Sequence, residues 1–112
     1  MVEGTDTWMI GMRLIASHIR TLAIKDFTWK TTGGKPQPVT VPIGEGMIDW
    51  DLYFKMVKEF NITGPITLHV EYPLLEKGEE NLTLVQQQEI IVRKLRKDVE
   101  FINTYLKKYL LI

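Results

Sequence analysis

An α/β fold built on parallel strands is what this sequence predicts, on three observations. Two short apolar runs end in ionisable residues: positions 21–27 (TLAIKDF) and 66–72 (ITLHVEY). A stretch with helical patterning follows each run. The resulting order of helix, strand, helix, strand, helix is the alternation produced by right-handed crossovers between parallel strands. A strand that is apolar along its length and ionisable at its C-terminal end is how an α/β barrel presents catalytic groups. Two strands cannot cover themselves, however, and parallel sheets are normally buried on both faces. The element list therefore reads as the last part of something larger.

The elements follow in order. Residues 6–18 read as a helix capped by Asp6, with an apolar stripe of Met9, Met12, Ile15, Ala16 and Ile19. The first strand occupies about residues 20–26. Its alternation sends Leu22 and Ile24 to one face and Thr21, Ala23 and Lys25 to the other. Residues 27–47 form a long connection. Gly33-Gly34 and prolines 36, 38 and 42 forbid helix and break a central strand, leaving a brief extended stretch at residues 39–41. A connection of that length is more often functional than accidental. Asp49 caps the second helix and Asp51 favours its dipole. The expected buried stripe of this helix is Tyr53, Met56, Val57 and Phe60, and residues 61–65 end it. The second strand covers residues 66–72, with Ile66, Leu68 and Val70 on one face and Thr67, His69 and Glu71 on the other. After a polar loop over 73–80, the last helix begins near Leu82 and reaches Tyr109. Its stripe is Ile91, Leu95, Val99, Ile102, Leu106 and Leu110.

Composition excludes several classes. The 112 residues make one small domain or a piece of a larger one. Fourteen basic side chains balance fourteen acidic ones, so no overall field draws nucleic acid or an anionic membrane. The absence of cysteine removes disulfides, thiolate metal sites and cysteine nucleophiles. The N-terminus lacks the basic start and apolar core of a signal peptide, and no apolar run approaches the ~20 residues that span a bilayer. The expectation is a soluble, cytoplasmic protein with neither nucleic acid nor membrane as partner. Asn81-Leu82-Thr83 matches a glycosylation acceptor, which carries no meaning without secretion. The basic run at 93–97 interleaves with stripe positions and has Glu89 and Glu100 nearby, the pattern of a solvated helix face.

Three segments carry a resemblance: Ile24-Lys25-Asp26-Phe27, residues 41–50 (VPIGEGMIDW), and Leu68-His69-Val70-Glu71-Tyr72. In order and spacing they resemble the seventh and eighth βα units of the sugar phosphate isomerase/epimerase family, the xylose isomerase-like TIM barrels. The resemblance covers about residues 10–110, and the Gly-Glu-Gly…Asp-Trp segment is its most specific part. It implies a partial (β/α)8 TIM barrel, about its last two βα units, with parallel strands flanked by helices. The whole chain, 1–112, would be a single domain and the C-terminal fragment of such a barrel. Family enzymes hold a divalent metal (Mn, Mg, Co or Zn) at the barrel mouth and stabilise the enediolate formed when a carboxylate removes a carbon-bound proton. The resemblance implies Glu71 as metal ligand and proton-transfer group. Lys25 and Asp26 match a His-x-Lys-Asp strand ending whose histidine ligand is here replaced by Ala23. Gly44, Glu45 and Gly46 match a loop over the mouth. Related barrels that repair DNA use three zinc ions, a chemistry poorly served by the two histidines here.

Each candidate has a plainer alternative. Glu71 is a catalytic carboxylate and metal ligand, or simply the ion-pair partner of Lys25 across a ~5 Å strand spacing. Lys25 is a catalytic contact that holds a substrate oxygen or phosphate, or that same pair. His69 binds substrate, or is a hydrogen-bonded interior histidine. Asp26 orders the loop that follows. Glu45 lies in the mouth loop as a substrate contact. Trp29 flanks a sugar, as does Trp50 unless it packs in the core. The functional expectation is a fragment of a metal-dependent sugar or sugar phosphate isomerase/epimerase, inactive alone. The alternative is a non-catalytic module that self-associates through open strand edges. Both fit a homo-oligomer.

Overall fold

The computed structural model describes residues 7–112. Asp6, the expected first cap, lies outside them. The chain runs through α1 (Thr7–Ile15), a 3-10 turn (Ala16–His18), β1 (Leu22–Ile24), β2 (Asp26–Thr32), β3 (Lys35–Val41), α2 (Trp50–Glu59), β4 (Ile66–Leu68), a second 3-10 turn (Glu79–Asn81) and α3 (Leu84–Lys108).

β1 and β4 pair in parallel, with Leu22 opposite Ile66, Ala23 opposite Thr67 and Ile24 opposite Leu68. The ladder is extended at its two ends by Leu22 N–H donating to the Pro65 carbonyl (3.0 Å) and His69 N–H donating to the Ile24 carbonyl (2.9 Å). Faces alternate as the sequence predicts. Leu22 and Ile24 are buried against the helices, while Thr21, Ala23, Lys25, Thr67, His69 and Glu71 are all exposed. The arrangement is a parallel pair backed by helices on one face, consistent with part of a TIM barrel and without barrel closure among the described residues.

Residues 27–47 depart from the expected loop. β2 and β3 form an antiparallel hairpin closed by Gly33-Gly34, whose φ values of +58° and +77° suit the left-handed two-residue turn. The prolines are accommodated by register. Thr32 and Lys35 close the turn as a hydrogen-bonded pair, and such pairs alternate with non-bonded ones along an antiparallel ladder. Pro36, opposite Thr31, and Pro38, opposite Trp29, therefore both sit where an N–H would point away from β2.

The core joins α1, β1, α2 and α3 through Met12, Leu22, Ile24, Trp50, Phe54 and Ile102. Asp49 caps α2 as expected, its Oδ1 accepting from Leu52 N–H at 3.0 Å. Met56 and Val57 are buried as expected, whereas Tyr53 and Phe60 are only half-buried and the fully enclosed residue is Phe54. Phe54 stacks on Tyr105 of α3 with centroids 5.5 Å apart. α2 ends at Asn61 (φ +52°), where Ile62 N–H returns to the Val57 carbonyl. α3 opens with a capping box between Thr83 and Gln86, two residues later than expected. Its buried stripe is also displaced. Val99 is 50% exposed and Leu110 is exposed, and Asp98 takes the inward position instead.

Candidate functional site

At the C-terminal ends of β1 and β4 the parallel register brings two sequence-distant charges together. Lys25 follows β1 directly, Glu71 lies just beyond β4, and Lys25 Nζ stands 2.7 Å from Glu71 Oε2. The ammonium's hydrogen bond is the main cause that holds the Glu71 carboxyl below its ordinary range. His69, two residues earlier on the same face, places Nδ1 3.5 Å from Glu71 Oε1, a contact longer than a good hydrogen bond. All three side chains are about half exposed on the open strand face, so His69 is not the interior histidine of the plainer alternative.

Below this rim, Asp26 is buried at 1% exposure and orders the loop that connects β3 to α2. Its Oδ2 accepts from Gly44 N–H (2.9 Å), Gly46 N–H (3.2 Å) and Trp50 Nε1–H (2.9 Å). Its Oδ1 accepts from Phe27 N–H (2.9 Å) and Ile48 N–H (3.4 Å). The glycines are there for space. A Cβ at Gly46 would strike the Asp26 carboxyl and the Phe27 carbonyl, and one at Gly44, with φ +88°, would enter the Phe101 ring. Trp50 is thus a packed, hydrogen-bonded core residue. Glu45 turns toward α3 and pairs with Lys97 at 2.8 Å, which does not bring it to the Lys25–Glu71 rim. Trp29 stands on β2, 43% exposed, edge-on to Phe27 at 6.3 Å.

A second polar pair is absent from the sequence reading. Tyr72 turns to the face opposite Glu71 and donates its hydroxyl to Asp98 Oδ2 at 2.5 Å. Asp98 is 2% exposed, and burial is the main cause that raises its carboxyl pKa; the Tyr72 bond opposes the shift. The spacing was compatible with it, because Asp98 lies three residues after Leu95 and four before Ile102.

Among the described residues the donors do not compose a metal centre. Glu71 and His69 are two potential ligands, Lys25 occupies one Glu71 oxygen, and Ala23 faces Thr67 where the resemblance implies a histidine. Among the described residues no group of three His, Cys, Asp or Glu side chains converges on one point. No described helix is long and apolar enough to cross a membrane.

No curated protein and no solved structure matches the chain. A family model described as "Xylose isomerase-like TIM barrel" matches residues 1–95, a span that includes β1, the hairpin, α2, β4 and the Lys25–Glu71 rim. With that match over most of its length, and two parallel strands delivering charged side chains to a common C-terminal rim, the chain belongs to the xylose isomerase-like TIM barrel family.

Proposed function

We propose that Lys25, His69 and Glu71 form one sector of the substrate-facing rim of a sugar or sugar phosphate isomerase/epimerase-like barrel, and that these residues do not turn over substrate by themselves. The observation that supports this is the 2.7 Å approach of Lys25 to Glu71 across parallel strands. A carboxylate that removes a proton beside a carbonyl must be ionised, and the neighbouring ammonium favours that form. The same ammonium is a point charge suited to a substrate oxygen or phosphate. Trp29 supplies an exposed aromatic face beyond the rim. The described residues offer too few ligands for the divalent metal implied by the resemblance.

The test is amide-resolved NMR titration of the full chain with a sugar phosphate, against Lys25→Met and Glu71→Gln. Shifts centred on residues 25, 69 and 71 that vanish in Lys25→Met, without isomerase activity, are the expected outcome. Absence of saturable shifts at residues 25, 69 and 71, or shifts there that are unchanged in both variants, overturns it.

A second reading rests on a different observation. The β1–β4 pair has no further strand on either edge among the described residues. Such edges favour association through added strands, so the same unit could serve as a self-assembling, non-catalytic module.

A further inference from the structure

The β2–β3 hairpin stands away from α3, and a cleft of about 570 Å³ opens between them. Lysines line both walls: Lys30 from the hairpin, Lys94 and Lys97 from α3. Lys94 and Lys97 are three residues apart on a helix and therefore share a face. The cleft also reaches Tyr72 and the buried Asp98. This cleft is separate from the rim, since Lys25, His69 and Glu71 do not line it.

The carboxylates of the cleft are already engaged. Glu45 pairs with Lys97 at 2.8 Å, and Asp98 accepts the Tyr72 hydroxyl. Glu76 holds Lys94 only at 4.0 Å and is 79% exposed, so a competing anion displaces it at little cost. Lys30 has no acidic partner within ion-pair distance among the described residues, although Lys25, Lys94, Lys97 and Lys108 each have one. Among the described residues the cleft thus holds three ammoniums, an unpaired one on the hairpin wall and two on the helix wall, each with donors to spare. Three donors from two walls suit a compact anion with three acceptor oxygens better than a two-oxygen carboxylate. Val39 and Pro42 add an apolar surface beside them.

We propose that this cleft binds a small phosphomonoester, its phosphate bridging Lys30 of the hairpin to Lys94 and Lys97 of α3 and its carbon skeleton resting on Val39 and Pro42. Occupation ties the hairpin to the helix. The site requires nothing of the rim, so it stands or falls independently of the sugar-isomerase reading.

The test is an amide-resolved titration of the full chain with inorganic phosphate, glycerol phosphate and glycerol at constant ionic strength. Saturable shifts at Lys30, Thr40, Lys94 and Lys97 are expected, with glycerol phosphate tighter than inorganic phosphate and glycerol silent. Lys30→Ala and Lys97→Ala should each weaken binding about tenfold, and Lys25→Met should leave it unchanged. Lys30→Ala is a surface change that leaves the fold intact, so its result does not depend on refolding. Equal affinity for the two phosphates overturns the ester. Absence of saturable shifts at Lys30, Lys94 and Lys97, or a response there reproduced by sodium chloride, overturns the site.

Discussion

Asp26 collects five N–H donors on one buried side chain, and both of its oxygens act only as acceptors. Removing it strands several donors in the interior, each worth about 1–3 kcal/mol. Asp26→Ala should therefore cost roughly 3–5 kcal/mol in urea unfolding. Asp26→Asn should be nearly as harmful, because its amide would point a donor at donors. Retention of wild-type stability by Asp26→Asn would show that the two oxygens are not both needed. Asp98 has the opposite sensitivity. Burial raises its carboxyl above the ordinary value of 3.8, so the folded state holds its proton to a higher pH than the unfolded chain does. The unfolded state then binds fewer protons in that window, and stability falls as pH rises through it. Above that window the penalty of a buried charge is present. Asp98→Asn keeps an acceptor for the Tyr72 hydroxyl and removes the charge. Its melting temperature should exceed wild type at pH 7, with the gain shrinking toward pH 3; a constant or negative difference contradicts the account. These two aspartates also show what was legible. Asp26 was readable as a loop organiser from its position after a strand. Asp98 was not, because helical spacing admitted either Asp98 or Val99 and hydropathy favoured the valine.

At the scale of elements, the parallel pair was legible because a period of two sorts side chains by face whatever else the chain does. The hairpin was not, because prolines argue against a strand unless the register is known. Only the Gly33-Gly34 turn fixes that register and puts Pro36 and Pro38 in outward positions. Residues 29–38 are exposed throughout, so the outer hairpin is held by its own ladder rather than by the core. Gly34→Val forces a β-branched residue to φ +77°, which costs about 1–2 kcal/mol locally. Hydrogen exchange of β2 and β3 amides should accelerate in this variant, while the global melting temperature barely moves. A large fall in melting temperature would mean that the hairpin belongs to the cooperative core. α3 offers a contrast, because its start was legible to within two residues and its capping box explains why: Thr83 and Gln86 satisfy each other's backbone N–H groups.

At the scale of the whole molecule, the shape is that of a slab. The radius of gyration is 16.2 Å and the extents are 48 × 39 × 20 Å, whereas a compact chain of this length has a radius near 13 Å. The thin dimension follows from a single parallel pair with helices on one side only. Its other face carries Thr21, Lys25, Thr67, His69 and Glu71 to solvent, and both strand edges lack neighbours among the described residues. β1 bonds to β4 through Leu22 N–H and the Ile24 carbonyl, which leaves the Ala23 N–H and carbonyl directed at the free edge. If edges drive association, light scattering should show mass rising with concentration from the micromolar to the near-millimolar range. Ala23→Pro removes an outward N–H and spares the β1–β4 ladder, so it should return the protein to a folded monomer. A wild-type chain that stays monomeric throughout excludes edge pairing between copies. An Ala23→Pro variant that associates as wild type does, with an unchanged circular dichroism spectrum, places the contact on the β4 edge or on the helices instead.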